Sequence, residues 1–218
     1  MNSVVEPHGR EFVKLVVENC TDGNVAPFGI ESFDDSVRKA THIYGSADKI
    51  INAIEIINEY GAEIGPKGFP KFLPGINLMH GLPGQTEKTH EINMEFLNRI
   101  YQNQLQTHRL FYRYMTPAEG VISSQIKEDI EYYSRCKNDI MTNFVIPMQK
   151  RVYPIGRQLK SFREVVFENG ASYLRALGTC SIKVMIENKK LTPYDNYSIQ
   201  ILDTVEPKLL KGEIIKGN

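Results

Sequence analysis

The sequence has no excess of either charge: 26 basic and 26 acidic side chains balance over 218 residues. Nothing global therefore draws it to nucleic acid or to an anionic membrane surface, and any such contact must come from a local patch. It also lacks a run of about 18 apolar residues, and its start, MNSVVEPHGR, has no charged segment followed by an apolar core. Neither a membrane span nor a signal peptide is expected, and the expected location is cytoplasmic. Cysteines are few. Cys20, Cys136 and Cys180 are far apart and odd in number, so they make neither a disulfide framework nor a C-x-x-C metal knuckle, and each is read as a buried thiol. His80, His90 and His108 lack metal spacing such as H-x-x-x-H and are read as surface or packing residues.

What is present is an alternation of helix and strand. Glu6 to Cys20 places Phe12, Val13, Val16 and Val17 on one helical face and stops at Thr21-Asp22-Gly23-Asn24. Val25 to Ile30 is a short apolar strand that delivers Glu31 and Ser32 to its carboxyl end, ahead of a helical turn at Asp34-Asp35. Ser46 or Asp48 caps a helix bearing Ile50, Ile51, Ile54 and Ile57 that closes at Gly61, and a polar loop from Ala62 to Pro70 follows. Next, the run Ile76 to Met79 ends in Gly81-Leu82-Pro83-Gly84, after which Thr86 caps a helix with the apolar face Ile92, Phe96, Leu97 and Ile100. Leu110 to Met115 is a third strand, Thr116 to Gly120 its exit loop. Ile126, Ile130, Tyr133, Ile140 and Phe144 mark a long helix that ends by Pro147.

Three strands each followed by a helix imply parallel pairing, because a parallel pair needs a crossover connection of about a dozen residues. The carboxyl ends of the strands are then the functional edge, and they collect Glu31, Ser32, His80 to Gln85 and Arg113 to Glu119. The glycine turn after the second strand lets a ligand lie against backbone N–H groups at a helix start, although a plain strand-to-helix turn has the same pattern. Glu31 and Glu119 have the chemistry of a general acid and base, but Ser32 has no base partner in the sequence. Three strands cannot close a barrel, so the sheet is open or is completed by something outside this sequence.

The pattern changes between Pro147 and Gly156. Phe162 to Phe167, Tyr173 to Leu177, Ser181 to Ile186, Tyr197 to Leu202 and Leu209 to Ile215 are short strand-like runs, with Ile182, Val184 and Ile186 facing opposite to Lys183, Met185 and Glu187. They predict a small antiparallel barrel of the oligonucleotide-binding type. Arg157, Lys160, Arg163, Arg175 and Lys183, with Tyr153 and Tyr173, make a basic, aromatic face suited to RNA; a solvated surface on a packing domain is the other reading.

The segments FGIESFDD, INEYGAEIGPKGFPKFLPGINLMHGLPGQT and HRLFYRYMTPAEG together resemble the later half of a radical SAM enzyme's (β/α) barrel, and the tail resembles the TRAM barrel of tRNA methylthiotransferases and their uncharacterised archaeal relatives. The resemblance spans nearly the whole chain. It implies an α/β fold with a partial, TIM-like barrel over residues 1–150 and a TRAM-like β domain over 151–218. It also implies that Glu31, Ser32, Gly81, Leu82, Pro83, Gly84, Gln85 and Arg113 bind S-adenosylmethionine. The family's C-x-x-x-C-x-x-C loop, which holds the [4Fe–4S] cluster, is absent from the sequence, so the cluster is expected on a missing or separately encoded amino half. Gln85 stands where the family usually carries Glu. The expected partners are that cluster-bearing half, or a second copy meeting it through the exposed sheet edge, and tRNA, with no membrane. The alternative is a non-catalytic RNA- or protein-binding module derived from the same barrel; an aldolase-like enzyme is disfavoured because no Schiff-base lysine stands at a strand end.

Overall fold

The computed structural model describes residues 2–116, 129–178, 180 and 182–215. In chain order the elements are α1 (Asn2–Val5), α2 (Gly9–Asn19), β1 (Asn24–Glu31), α3 (Asp35–Ala40), α4 (Ala47–Gly61), β2 (Phe72–His80), α5 (Glu87–Gln102), β3 (Arg109–Tyr114), α6 (Ile130–Ile140), a π turn (Met141–Val145), and α7 (Ile146–Val152). Five strands follow: β4 (Gln158–Glu168), β5 (Ala171–Ala176), β6 (Lys183–Glu187), β7 (Tyr197–Glu206) and β8 (Leu209–Ile215). The fold is mixed α/β, a three-stranded parallel sheet and a separate five-stranded one. Among the described residues no helix is long and apolar enough to cross a membrane.

The first sheet has the order β1-β2-β3, with both pairings parallel. As the middle strand, β2 is covered almost throughout, which is why its pattern is a nearly continuous buried run. One face of the sheet presents Phe28, Ile30, Ile76, Leu78, Leu110 and Tyr112, all buried under the helical layer. Helix α4, started by Ser46 accepting a hydrogen bond from Lys49 N–H, contributes Ile50, Ile51, Ile54 and Ile57 to that layer. On the other face Pro27, Gly29 and Arg113 are exposed, and Asn77, Met79, Arg109 and Phe111 half-exposed. In α2 the core-facing residue is Val13, with Val16 and Val17 packed partly against it, whereas Phe12 points to solvent at 54% exposure.

Two stretches differ from the sequence expectation. The last helical segment does not stop at Pro147: α6 passes through the π turn into α7, where Pro147 stands in the first turn and its missing N–H is not needed, so the helix runs to Val152. The loop from 62 to 70 is not merely polar. Ile64 and Pro70 form a β-bridge that pushes Phe69 into the interior, against Tyr153 and Phe162. Of the exit loop at 116–120 only Thr116 is described; Glu119, Ile126 and Ser181 also lie outside the described residues.

The five later strands close into a barrel in the order β4-β5-β6-β8-β7. It is not wholly antiparallel. A ring of five cannot alternate direction at every pairing, so one pair must run parallel, and that pair is β6 with β8. Ile182, Val184 and Ile186 are buried as the alternation requires, with Leu159, Phe162, Leu174, Ile199, Ile201 and Leu210 filling the interior. One apolar core runs through barrel and sheet without a break. The seam is also polar: Gln149 Nε2 donates to Glu206 O and Leu209 O at 3.2 and 3.3 Å, Lys208 N–H donates to Gln149 Oε1 at 2.7 Å, and Lys160 N–H donates to Lys67 O at 2.9 Å.

Candidate functional site

The carboxyl ends of β1, β2 and β3 lie side by side, as parallel pairing demands. At the end of β1 the register slips between Gly29 and Glu31, and Glu31 takes a left-handed backbone with φ 61°. A non-glycine residue there carries strain, which surrounding structure must hold. Arg38 supplies that hold. Its guanidinium, 2% exposed, donates to Ile30 O at 2.6 Å, Ser32 O at 3.0 Å, Tyr44 O at 2.8 Å and Gly45 O at 2.9 Å. Burial raises the Glu31 pKa above the ordinary carboxylate value, while the charges of Arg113 and Arg38 act in the opposite direction.

Ser32 is fully buried, its Oγ shared between Asn93 Oδ1 at 3.4 Å and Asp34 N–H at 3.1 Å. The hydroxyl braces the turn. Asp34 caps α3 and accepts from Thr89 Oγ1 at 2.8 Å, and Asn93 Oδ1 accepts from Phe33 N–H at 2.7 Å, which ties the β1 exit to α5.

The β2 exit turns on Gly81 and Gly84, at φ 85° and 82°. Gln85 locks it from within: Oε1 accepts from Gly81 N–H and Leu82 N–H at 2.7 and 3.2 Å, and Nε2 donates to Met79 O at 2.7 Å. Both polar atoms of this amide are engaged by the loop's own backbone. Next to it, His80 is 8% exposed, not a surface residue; Nδ1 is 2.8 Å from Tyr112 Oη, and the ring packs among Tyr112, Tyr114, Tyr132 and Tyr133. Burial lowers the His80 pKa, so the ring is neutral at neutral pH. His90 Nε2 pairs with Asp139 Oδ2 at 2.7 Å; its pKa is raised, first by the Cys136 thiol and then by Asp139, against burial. A cavity of about 310 Å³ opens here, between the loop, the first turns of α5 and the start of α6.

The half-exposed face of the sheet has a different character. Phe111 is ringed by three cations: Lys208 Nζ lies 3.8 Å from the ring centre, and the guanidinium carbons of Arg109 and Arg113 lie 4.9 and 5.1 Å from it. Among the described residues none of the three has a carboxylate at ion-pair distance, and Arg109 Nε is buried without a partner. Burial, with Arg109, Arg113 and Lys137, lowers the Lys208 pKa. A cavity of about 590 Å³ along this seam is lined by Phe111, Tyr173, Arg175, Lys183 and Lys208.

On the barrel, strand register sets Arg163 beside Arg175 and Arg175 beside Lys183, all exposed. The row is continuous with Lys208, because Lys183 N–H donates to Lys208 O at 2.9 Å. Lys160 is exposed but apart, on the stretch of β4 that meets Lys67. Arg157 is half-buried and donates to Val152 O. Tyr153 is 1% exposed and faces Cys180 and Phe69, so it is core and is closed to a base.

The cysteines do not converge. Cys20 is exposed at the end of α2, Cys136 is buried on α6, and Cys180 is buried at the seam with its Sγ 3.2 Å from His108 Nε2. Among the described residues no group of three or more His, Cys, Asp or Glu could hold a metal ion. Of the expected site residues, Gly81, Leu82, Gly84 and Gln85 line one cavity, while Glu31, Ser32 and Arg113 lie outside it. Arg38, Asn93, Phe111 and Lys208 escaped the sequence reading. The available signal was a polar residue within an apolar helical stripe, Thr89, Asn93, Leu97 and Ile100, of which the first two are buried polar side chains.

No family model matches the chain. It is 34% identical over 204 residues to an uncharacterized protein of Methanocaldococcus jannaschii, a match that covers 91% of this chain and 38% of that protein. To an uncharacterized protein of Archaeoglobus fulgidus it is 35% identical over 184 residues, covering 82% of this chain and 35% of the other. The chain thus spans little more than a third of the length of the curated relatives it matches.

Proposed function

We propose that this chain is the carboxyl portion of a radical SAM protein, its sheet the later half of a (β/α) barrel and its β barrel a TRAM-like module for tRNA or another RNA. The observation that carries the reading is the asymmetry of the parallel sheet. Its strands run in sequential order under helices on one face, β1 is an edge strand of the sheet, and the other face exposes polar groups beside the carboxyl ends that carry Glu31 and the glycine turn. Matches to proteins more than twice as long agree with a missing companion.

The residues fit S-adenosylmethionine in part. Glu31, half-buried beside Arg113, would accept from the ribose hydroxyls, and the Gly81 to Gly84 backbone would lie against the ligand. Ser32 and Gln85 would support these groups from behind, since their polar atoms are already engaged. The cysteines do not fit a [4Fe–4S] cluster, which would have to come from the partner. For RNA, the reading rests on the row Arg163, Arg175, Lys183 and its continuation to Lys208 over Phe111, where unpaired cations and an aromatic ring favour phosphate and base together.

Anaerobic co-purification with a C-x-x-x-C-x-x-C polypeptide, followed by titration with S-adenosylhomocysteine, tests the proposal. The expected result is a stable complex whose affinity for the nucleoside falls at least tenfold in Glu31→Gln. No complex, or an affinity indifferent to Glu31, overturns it in favour of a binding module without redox chemistry.

A further inference from the structure

The cavity between α5 and α6 lies on the helical side of the sheet end, whereas Glu31 and Arg113 lie outside it. Its depth and its rim differ in charge. Deep in it stand Asn93, 2% exposed, and His80, 8% exposed. Asn93 Oδ1 is fixed by Phe33 N–H at 2.7 Å, which fixes the orientation of the amide and leaves Nδ2 without an acceptor among the described residues. Its two N–H groups are donors at the wall of the cavity that Asn93 lines. His80 adds a second group: Nδ1 is taken up by Tyr112 Oη at 2.8 Å, and Nε2 has no partner among the described residues. In the tautomer where the Tyr112 hydroxyl donates to Nδ1, the one the proposal uses, Nε2 carries the proton and is a donor as well. The start of α5, a helix of 16 residues closed by the Thr86 and Thr89 capping box, adds the positive end of its dipole.

The rim is acidic. Glu87 and Asp129 are exposed there; among the described residues neither pairs with a cation, and Asp129 uses one oxygen to cap α6 through Tyr132 N–H at 2.8 Å. The walls between depth and rim are Leu82, Tyr112 and Tyr132. At about 310 Å³ the space is at the small end of ligand sites.

We propose that this cavity binds a small zwitterion of the amino-acid type, with its carboxylate on the Asn93 amide, His80 and the α5 N-terminus, its ammonium at Glu87 and Asp129, and an apolar side chain against Leu82, Tyr112 and Tyr132. Neutral donors in the depth accept a carboxylate without leaving a buried charge of their own when the site is empty. Carboxylates at the wet rim select for the ammonium. The site shares the Gly81 to Gly84 turn with the cofactor reading and differs from it in the groups that hold the ligand, Asn93, His80, Glu87 and Asp129 in place of Glu31.

The test is a thermal-shift and calorimetric series on the full chain with L-leucine, L-methionine and L-phenylalanine, their carboxamides, their N-acetyl forms, and S-adenosylhomocysteine. At least one free amino acid is expected to raise the melting temperature with a concentration dependence that saturates, while its carboxamide and its N-acetyl form bind about tenfold or more weakly. Glu87→Gln, on an exposed side chain, is expected to keep the fold and weaken binding about tenfold, with the carboxylate preference intact. Asn93→Asp retains the acceptor to Phe33 but turns a carboxylate toward the cavity, and is expected to abolish binding; if it fails to fold, Glu87→Gln still decides. No shift with any free amino acid at 10 millimolar (about a hundredfold the concentration of a weak site), equal affinity for the carboxamide, or no effect of Glu87→Gln each overturns the proposal. Binding by S-adenosylhomocysteine alone, lost in Glu31→Gln, would overturn it by assigning the cavity to the cofactor.

Discussion

The two sheets of this protein solve the problem of strand edges in opposite ways. The barrel closes on itself: every strand has two neighbours, its interior is filled by apolar residues, and its outward face carries a row of cations. The parallel sheet stays open, with β1 and β3 at its edges, one face buried under helices and the other lined with Asn77, Arg109 and Arg113. Closure spends all backbone pairing on stability, whereas an open parallel sheet keeps strand ends, an edge and a face free for other groups. Buried polar side chains are correspondingly concentrated at the open sheet's carboxyl ends, where Ser32, Asp34, Arg38, His80, Thr89 and Asn93 lie.

If the two regions share one core, a break at the seam must unfold both. Phe69, 2% exposed, stacks on Phe162 of the barrel at 5.9 Å and meets Tyr153 edge-on at 6.2 Å. Phe69→Ala is expected to cost about 3–5 kcal/mol in denaturant unfolding and to keep a single transition by circular dichroism and tyrosine fluorescence. Two separated transitions would mean that barrel and sheet fold independently.

Acid provides a milder break at the same place. His108, buried at the seam, has a pKa lowered to about 4 by burial, with Arg109 acting in the same sense. Its neutral form is the one the fold accepts. The stability it permits is therefore complete above the unfolded value near 6.5 and declines as the unfolded chain takes up a proton between about pH 6.5 and 4, by roughly 3 kcal/mol in all. His90, with its raised pKa, works in the opposite sense: its contribution is present in acid and fades as pH rises through that value. Urea titrations across this range should show the net loss, and His108→Gln should flatten it.

A third change separates loop from scaffold within the open sheet. Gln85→Ala removes three hydrogen bonds to the loop backbone and should cost about 1–3 kcal/mol, with faster amide exchange at Gly81 and Leu82 but unchanged exchange in the barrel. Gln85→Glu sharpens it. A carboxylate oxygen would face Met79 O, so the carboxyl should hold its proton more tightly in the fold than in the unfolded chain, and the variant should be weaker at neutral pH and recover as pH falls.

The smallest expected effect on stability concerns the cations that join the regions. Lys208→Ala removes one of three like charges around Phe111 and should change folding stability by no more than about 0.5 kcal/mol. Filter-binding of RNA over a salt series should nonetheless show the slope reduced by about one, the signature of one lost phosphate contact. An unchanged slope would remove Lys208 from the RNA reading.

How much of this was legible beforehand follows from the kind of information a pattern holds. Apolar periodicity located the three strands and helices of the first region to within a few residues, and alternation located five strands in the second. Pro147 misled because a proline ends a helix only if its predecessor's turn is regular, and here a π turn accommodates it. Tyr153 misled because an aromatic between two basic stretches looks the same whether its ring faces RNA or Phe69.

The sequence by itself determined the order of helices and strands, the parallel pairing of the first three strands and the inward set of the barrel, since these depend on spacing along the chain. Tertiary structure decided the rest. Only packing brought Asn93 of α5 to the turn after β1, buried Arg38 among four carbonyls, set Lys208 over Phe111 of a distant strand, and made a five-membered ring take one parallel pair. The contact of Asn93 with the β1 turn joins residues 60 positions apart, and whether a polar side chain is solvated or buried is fixed by what lies across from it, which no local pattern records.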